Sequence, residues 1–242
     1  MKKNRTILNY SITILGGLLI YLSSCYKAGV NADINPIINP TNVPDTVTDI
    51  DGNAYHTVII GTQVWMVENL RTTKYRNGDP ISNITDSAQW NNLTTGAYCI
   101  YNNAPDINVD YGCLYNWNAV HDERNIAPSG WHVATDDDWT RLVDYLGGRD
   151  VAGGKLKEEG YTHWLIPNTG ATNSSGFTAI PAGRRTNDGS YTHRGYYSYW
   201  WTSTEYSDNA GAWLRRTDNS NITVQVMAEL KSYGLSVRCV MY

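Results

Sequence analysis

Apolar residues in this chain form one short block, then nearly vanish, and then return in two different rhythms. The block runs from Ile12 to Leu22 behind Lys2, Lys3 and Arg5, which reads as the basic start and hydrophobic centre of a secretory signal. It is too short for a comfortable membrane span. From Tyr26 to about Val47 almost nothing bulky is available for burial, and Pro36, Pro40 and Pro44 recur at intervals of four. Such a segment reads as a tether, extending at ~3.1 Å per residue and so reaching as far as roughly 60 Å.

From Thr48 onward the pattern becomes that of a folded domain. Asp51 and Gly52 offer a turn, and the run from Tyr55 to Ile60, interrupted at Gly61 and Thr62 before Gln63 to Met66, predicts a hairpin. Helical rhythm is clearest where Trp139, Leu142, Val143 and Leu146 follow Thr135, with Asp138 placed to complete a capping box and Gly147 and Gly148 to end the helix. A shorter helix is predicted around Leu114 to Val120, with Leu114 and Trp117 facing inward. After Gly153 the chain is rich in Gly, Asn, Ser and Thr. The interruptions Tyr196 to Ser203, Ala212 to Arg216, Ile222 to Met227 and Leu235 to Val240 predict strands, the last half-buried by its alternation. Few helices, short strands and long loops indicate an α+β fold with one or two helices and antiparallel strands. No internal repeat of fixed period is present.

Composition changes this picture in three ways. Leu22, Ser23, Ser24 and Cys25 resemble the lipobox of bacterial lipoproteins, so the expected organisation is a signal peptide over 1–24, a lipid-anchored tether over 25–47 and one domain over 48–242. At ~0.8 kcal/mol per buried methylene, several acyl chains on Cys25 make a durable membrane anchor. Cleavage before Cys25 leaves 16 basic residues against 23 acidic, a balance of −7 that argues against nucleic acid as a partner. Nine Trp and eighteen Tyr stand against the single Phe177. Rings with polar tips suit half-buried, loop-rich structures and binding surfaces alike. Three further cysteines, Cys99, Cys113 and Cys239, make an odd set outside zinc-ligand spacing, and the expectation is one disulfide joining Cys239 to Cys99 or Cys113.

The residues also carry a resemblance. GTQVWMVENL (61–70), LYNWNAV (114–120), PSGWHVATDDDW (128–139), LVDYLGG (142–148), GGKLK (153–157), NTGATNSSGFTAIPAGRR (168–185), YWWTSTEY (199–206) and LSVRCV (235–240) occur in order. This series is similar to the Fibrobacter succinogenes major paralogous domain, found in secreted and lipid-anchored bacterial proteins. The resemblance implies a C-type-lectin-like fold. Ala127 stands where that family usually has a cysteine before Pro128, and Ala134 where it usually has a proline. The missing cysteine removes the usual partner of Cys239, and Cys113 is the alternative that the resemblance leaves.

Catalytic patterns are absent from the sequence. The five histidines fall at no metal-ligand spacing, and there is no HExxH, GxSxG or phosphate-binding glycine loop. Asp136 to Asp138 are explained by helix capping rather than calcium, because three consecutive residues cannot all face one ion. Formylglycine chemistry needs a cysteine pair that the C-terminal part, with Cys239 alone, lacks. No cofactor and no metal are therefore expected. The candidate ligand-binding residues are aromatic and basic: Trp200 and Trp201, which as strand neighbours point to opposite faces, with Tyr197, Tyr199, Arg184 and Arg185. Rings stack on sugars, and guanidinium groups bind carboxylates. The expectation is a cell-envelope lipoprotein, at the outer membrane, presenting a non-catalytic module for an extracellular polysaccharide or protein. The alternatives are a structural subunit of a surface assembly, and a hydrolase if two carboxylates face each other across a cleft.

Overall fold

The computed structural model describes residues 43–207 and 210–242. The signal segment, Cys25 and the tether as far as residue 42 lie outside the described residues. Thirteen strands and five α-helices are formed among those that are described. The fold is α+β, with mainly antiparallel sheets.

The predicted hairpin comprises β2 (Ala54–Ile60) and β3 (Gln63–Met66), paired from Thr57↔Met66 to Ile60↔Gln63. Gly61 makes the turn at φ +62°, and a Cβ there would lie 2.9 Å from the ring of Tyr145. β1 (Thr46–Thr48) adds to β2, while β13 (Cys239–Met241) lies between β3 and β7 (Trp131–Val133). The C-terminal strand is thus internal to a five-stranded sheet. Of the strand predicted over Leu235 to Val240 only the end forms as such, Leu235 and Ser236 making single bridges to Tyr115 and Trp200, and all six residues are buried, correcting the expected half-buried alternation. Arg238 is tolerated there because its guanidinium donates to Asn69 Oδ1 at 2.8 Å and to the carbonyls of Met66, Val67, Phe177 and Thr178.

A second sheet is β10 (Tyr197–Glu205), β11 (Gly211–Asp218) and β12 (Gln225–Leu230), antiparallel throughout. Smaller elements complete the frame: β4 (Ser82–Asn83), β5 (Ala97–Cys99) and β6 (Leu114–Tyr115) form a third sheet, and β8 (Arg184–Arg185) pairs with β9 (Tyr191–Thr192). Three helices are short, α1 (Ser87–Asn91), α2 (Asn108–Tyr111) and α3 (Trp117–Val120); the last, capped by Asn116, is shorter than the helix expected around Leu114 to Val120, because Leu114 and Tyr115 pair as strand β6, while Leu114 and Trp117 are both buried as expected.

The long helices are α4 (Asp136–Tyr145) and α5 (Arg149–Leu156). α4 has the predicted box: Thr135 accepts from the Asp138 backbone at 3.1 Å, and Asp138 accepts from the Thr135 backbone at 2.9 Å. Asp136 instead pairs with buried Arg215 at 2.6 Å, tying α4 to β11. The sequence pattern does not predict α5, since its end runs into the Gly-, Asn-, Ser- and Thr-rich part of the chain. Those glycines serve close approach: a Cβ on Gly153 would lie 2.4 Å from the Thr223 carbonyl, and one on Gly154 2.5 Å from the Gly170 carbonyl. Lys157, fully buried at the end of α5, donates to the carbonyls of Thr169, Asp218 and Asn221 at 2.8–2.9 Å and holds two loops together.

Trp65, Trp139, Trp200 and Phe177 meet with ring centroids 5.0–5.7 Å apart in one core. Another contains Trp117, Trp131, Trp201, Tyr55 and Tyr115. Cys113 and Cys239 belong to that second core, and Cys99 packs with Trp90, Ala97 and Leu114. All three are free thiols, which corrects the expected disulfide. Each fills apolar space as a small hydrophobe, and burial pushes the Cys99 thiol up to about 11 and the other two higher.

Candidate functional site

The strand pair β8 and β9 decides which of the two adjacent arginines is available. Arg184 lies opposite Thr192 and Arg185 opposite Tyr191, and successive strand residues point to opposite sides. Arg185 points inward and is fully buried between the rings of Trp90 and Tyr191, with its guanidinium 4.4 and 4.9 Å from their centroids. It donates to the carbonyls of Gly189, Ile84 and Thr85. This is a structural tie, so Arg185 is removed from the expected ligand-binding set.

The two tryptophans are corrected for a related reason. Trp200 and Trp201 do take opposite faces of β10, but both faces are covered at that point, and neither ring is exposed. Their indole N–H groups are satisfied internally, by Asn69 Oδ1 and the Tyr115 carbonyl, each at 2.9 Å. Neither is a binding platform.

What remains of the expected set converges. Along β10, Tyr197 and Tyr199 point to the same face and their rings stack at 5.7 Å with a 25° angle. The register places Arg216 of β11 opposite Tyr199 and Gln225 of β12 opposite Arg216. The Arg216 guanidinium lies 4.8 Å from the Tyr197 ring, and that of Arg184 lies 5.0 Å from Tyr199 and 5.1 Å from Tyr233. His193, at φ +70° in the turn after β9, brings its ring 4.9 Å from Tyr197 and its Nδ1 3.2 Å from the Tyr199 hydroxyl. Tyr199 is buried and so leaves the expected ligand-binding set, supporting the face from below, whereas Tyr197, Tyr233, Arg184 and Arg216 are half-buried and His193 is exposed.

The hydrogen bonding of these two arginines sets them apart. Arg238, Arg185, Arg76 and Arg215 have their forks filled by internal acceptors. Arg184 meets Glu229 at 2.9 Å and Arg216 meets Gln225 and Tyr199, while among the described residues the Nε of each is buried without an acceptor. Burial, then the charges of Arg184 and Arg216, holds His193 below its ordinary range, so at neutral pH it adds a hydrogen-bonding group rather than a charge. Burial raises Tyr199 and Tyr233. The arrangement offers aromatic surface, neutral imidazole and two half-buried guanidinium groups.

Arg216, Tyr233 and His193 escaped the sequence reading. Only the pairing of β10 with β11 brings Arg216 to Tyr199. The positive φ of His193 has no sequence signal stronger than Gly195, two residues on.

Two clefts lie elsewhere. One, of about 370 Å³, is lined in part by His56, Glu68, Asp110, Glu158 and His163. Its two glutamates are each tied to a histidine, His56 Nδ1 at 2.6 Å from Glu68 and His163 Nδ1 at 2.8 Å from Glu158. Since a carboxylate only accepts, Nδ1 is the donor in both pairs. The other cleft, about 440 Å³, is lined by polar groups around Trp117 and His121, whose rings stack at 4.4 Å. Among the described residues no group of three or more His, Cys, Asp or Glu is placed to hold a metal ion.

Comparison with known proteins gives one match: the family described as the Fibrobacter succinogenes major domain fits residues 58–241. That span contains the whole arginine and tyrosine cluster. No curated protein and no solved structure matches the chain.

Proposed function

The chain belongs to the Fibrobacter succinogenes major domain family, and from the cluster it presents we propose that it is a non-catalytic binding module for an extracellular polysaccharide or protein. The observation that carries this reading is the half-buried face of Tyr197, Tyr233, Arg184 and Arg216, where aromatic rings and guanidinium groups lie side by side. Such groups act by contact. Lipidation at Cys25 and a proline-rich tether, both read from the sequence, are the proposed means of holding the module at the envelope, on the outer membrane. The proposed fold type is C-type-lectin-like, supported by the WHVATDDDW, WWTST and VRC motifs and by a C-terminal strand returning beside the first hairpin.

The test is binding of the full-length protein to an array of polysaccharides and matrix proteins, beside a Tyr197→Ala, Arg216→Ala variant whose unfolding temperature is checked. The expected result is a ligand whose binding falls about tenfold or more in the folded variant. Unchanged binding would move the site elsewhere. No binding by the wild type would shift the reading to a structural subunit.

A further inference from the structure

Beyond the tyrosine and arginine face, we propose a second contact site: the outer edge of β12, from Val226 to Ala228, takes up an extended, largely apolar peptide segment of a partner protein as an added strand. The register gives the direction of each backbone group. Lys231 N–H donates towards β11, to the Ala210 carbonyl, and along an antiparallel pair successive residues alternate between facing the neighbouring strand and facing away. Gln225, Met227 and Glu229 therefore face β11, while Val224, Val226, Ala228 and Leu230 face outward. Two outward bonds agree with this. Val224 N–H donates to the Arg149 carbonyl at 2.8 Å, and the Leu230 carbonyl accepts from Tyr233 N–H at 3.0 Å. Between those ends the N–H and C=O groups of Val226 and Ala228 have no partner among the described residues.

β12 also lacks the devices that keep strand edges from pairing. It contains no Lys, Arg or Pro, its pairing with β11 has no bulge, and its single charge, Glu229, is taken by Arg184. Other edge strands among the described residues are shorter or closed. β1 has three residues and follows Pro44, β7 has three, and β10 is met on its outer side by the carbonyls of Ser236 and Ala134, which accept from Trp201 and Ser203.

The occupant follows from the groups on offer. Two N–H and two C=O groups, set two residues apart along one strand, are matched by a peptide backbone, which presents the same groups at the same spacing. The side chains beside them are apolar. Val226 lines a cavity of about 50 Å³ with Val143 and Val224, and with Asp144 and Arg149, on the α4 side. Met227 points the other way and packs against the core that includes Tyr115. An added strand thus places alternate residues against apolar surface on both faces. A second copy of this chain fits less well. Its edge is bracketed by Arg149 and by the turn from Leu230 to Tyr233, and pairing two such edges would set the bracket of one copy against that of the other. A single extended segment of about three to five residues enters between them.

The test selects a phage-displayed random dodecapeptide library on the full-length protein and measures the enriched sequences as synthetic peptides on a biosensor. Ala228→Pro, which removes an outward N–H and no bond to β11, is measured alongside and checked for folding by near-UV circular dichroism. The expected result is enrichment of β-prone peptides whose affinity falls about tenfold or more on this variant. On the wild-type protein, N-methylation of one alternate set of peptide residues abolishes binding and methylation of the other set does not. Binding also slows amide hydrogen exchange at Val226 and Ala228. Failure to enrich any peptide would overturn the proposal. So would peptides that tolerate both methylation sets, or that leave exchange at Val226 and Ala228 unchanged. Concentration-dependent dimerisation in sedimentation, lost in Ala228→Pro, would give the edge to a second copy and overturn the assignment to a partner protein. Ala228→Pro leaves binding at the tyrosine and arginine face unchanged, so failure of one site is distinguishable from failure of the other.

Discussion

Arg184 and Arg185 are chemically identical neighbours with opposite roles, and the difference is measurable. Removing Arg185 leaves three carbonyls and two rings without their partner inside the protein. Arg185→Ala is expected to lower stability by about 3 kcal/mol, whereas Arg184→Ala costs about 1 kcal/mol or less and acts on binding. Urea denaturation of both variants checks the contrast. Asp138 gives a prediction about acid. Burial pushes its carboxyl up, but hydrogen bonds from His132 and Thr135 outweigh this and hold it at about 2, below the ordinary 3.8. A lowered folded value favours the native state above the unfolded pKa, so this contribution is full above about pH 5 and is lost as pH falls towards 2. The loss amounts to about 2 kcal/mol. Asp138→Asn should remove that part of the pH dependence, so the gap in unfolding free energy between wild type and variant narrows from pH 6 to pH 2.5. A constant gap would show that Asp138 is not the group responsible.

At the level of elements, α5 shows helix propensity being overruled by contact. Alanine is the better helix former by about 1 kcal/mol, so Gly153→Ala on propensity alone would stabilise. Here the added Cβ would sit 2.4 Å from a backbone carbonyl, which flexible side chains cannot relieve. The expected outcome is destabilisation by about 2 kcal/mol or more, seen as a lower thermal midpoint. The same reasoning applies to β10. Truncating Trp200 or Trp201 to Ala removes a fully buried ring and is expected to cost about 3–5 kcal/mol. Such variants report on folding, and binding studies need Tyr197 and Arg216 instead.

For the molecule as a whole, stability comes from packed aromatic cores rather than from cross-links. Because Cys99, Cys113 and Cys239 are buried free thiols, a reducing agent is expected to leave the thermal midpoint unchanged. A thiol reagent should label them only as the protein unfolds. A reductant-sensitive midpoint would show that a disulfide forms after all. Attachment to the envelope is a separate matter, resting on Cys25. Cys25→Ala is expected to move the full-length protein from the membrane fraction to the soluble fraction, and continued membrane recovery would remove the lipid anchor from the proposal.

Local patterns were legible wherever one short segment contains its own physical cause. The hairpin at Gly61, the box of Thr135 and Asp138, and the opposite facing of Trp200 and Trp201 follow from turn geometry, capping and the two-residue strand period. The family was legible too, from eight ordered motifs. Those same motifs contain the residues whose roles were misread. Adjacent arginines look alike until strand pairing turns one inward, and adjacent tryptophans look like candidate platforms until both sides of their strand are covered. A cysteine's partner is a distance between remote segments, so counting left the pairing open and the folded chain leaves all three unpaired. Segment-level chemistry was therefore determined by the sequence alone. Exposure, register and the meeting of Arg184, Arg216, His193, Tyr197 and Tyr233 were decided only by tertiary structure, because each depends on residues far apart in the chain packing side by side.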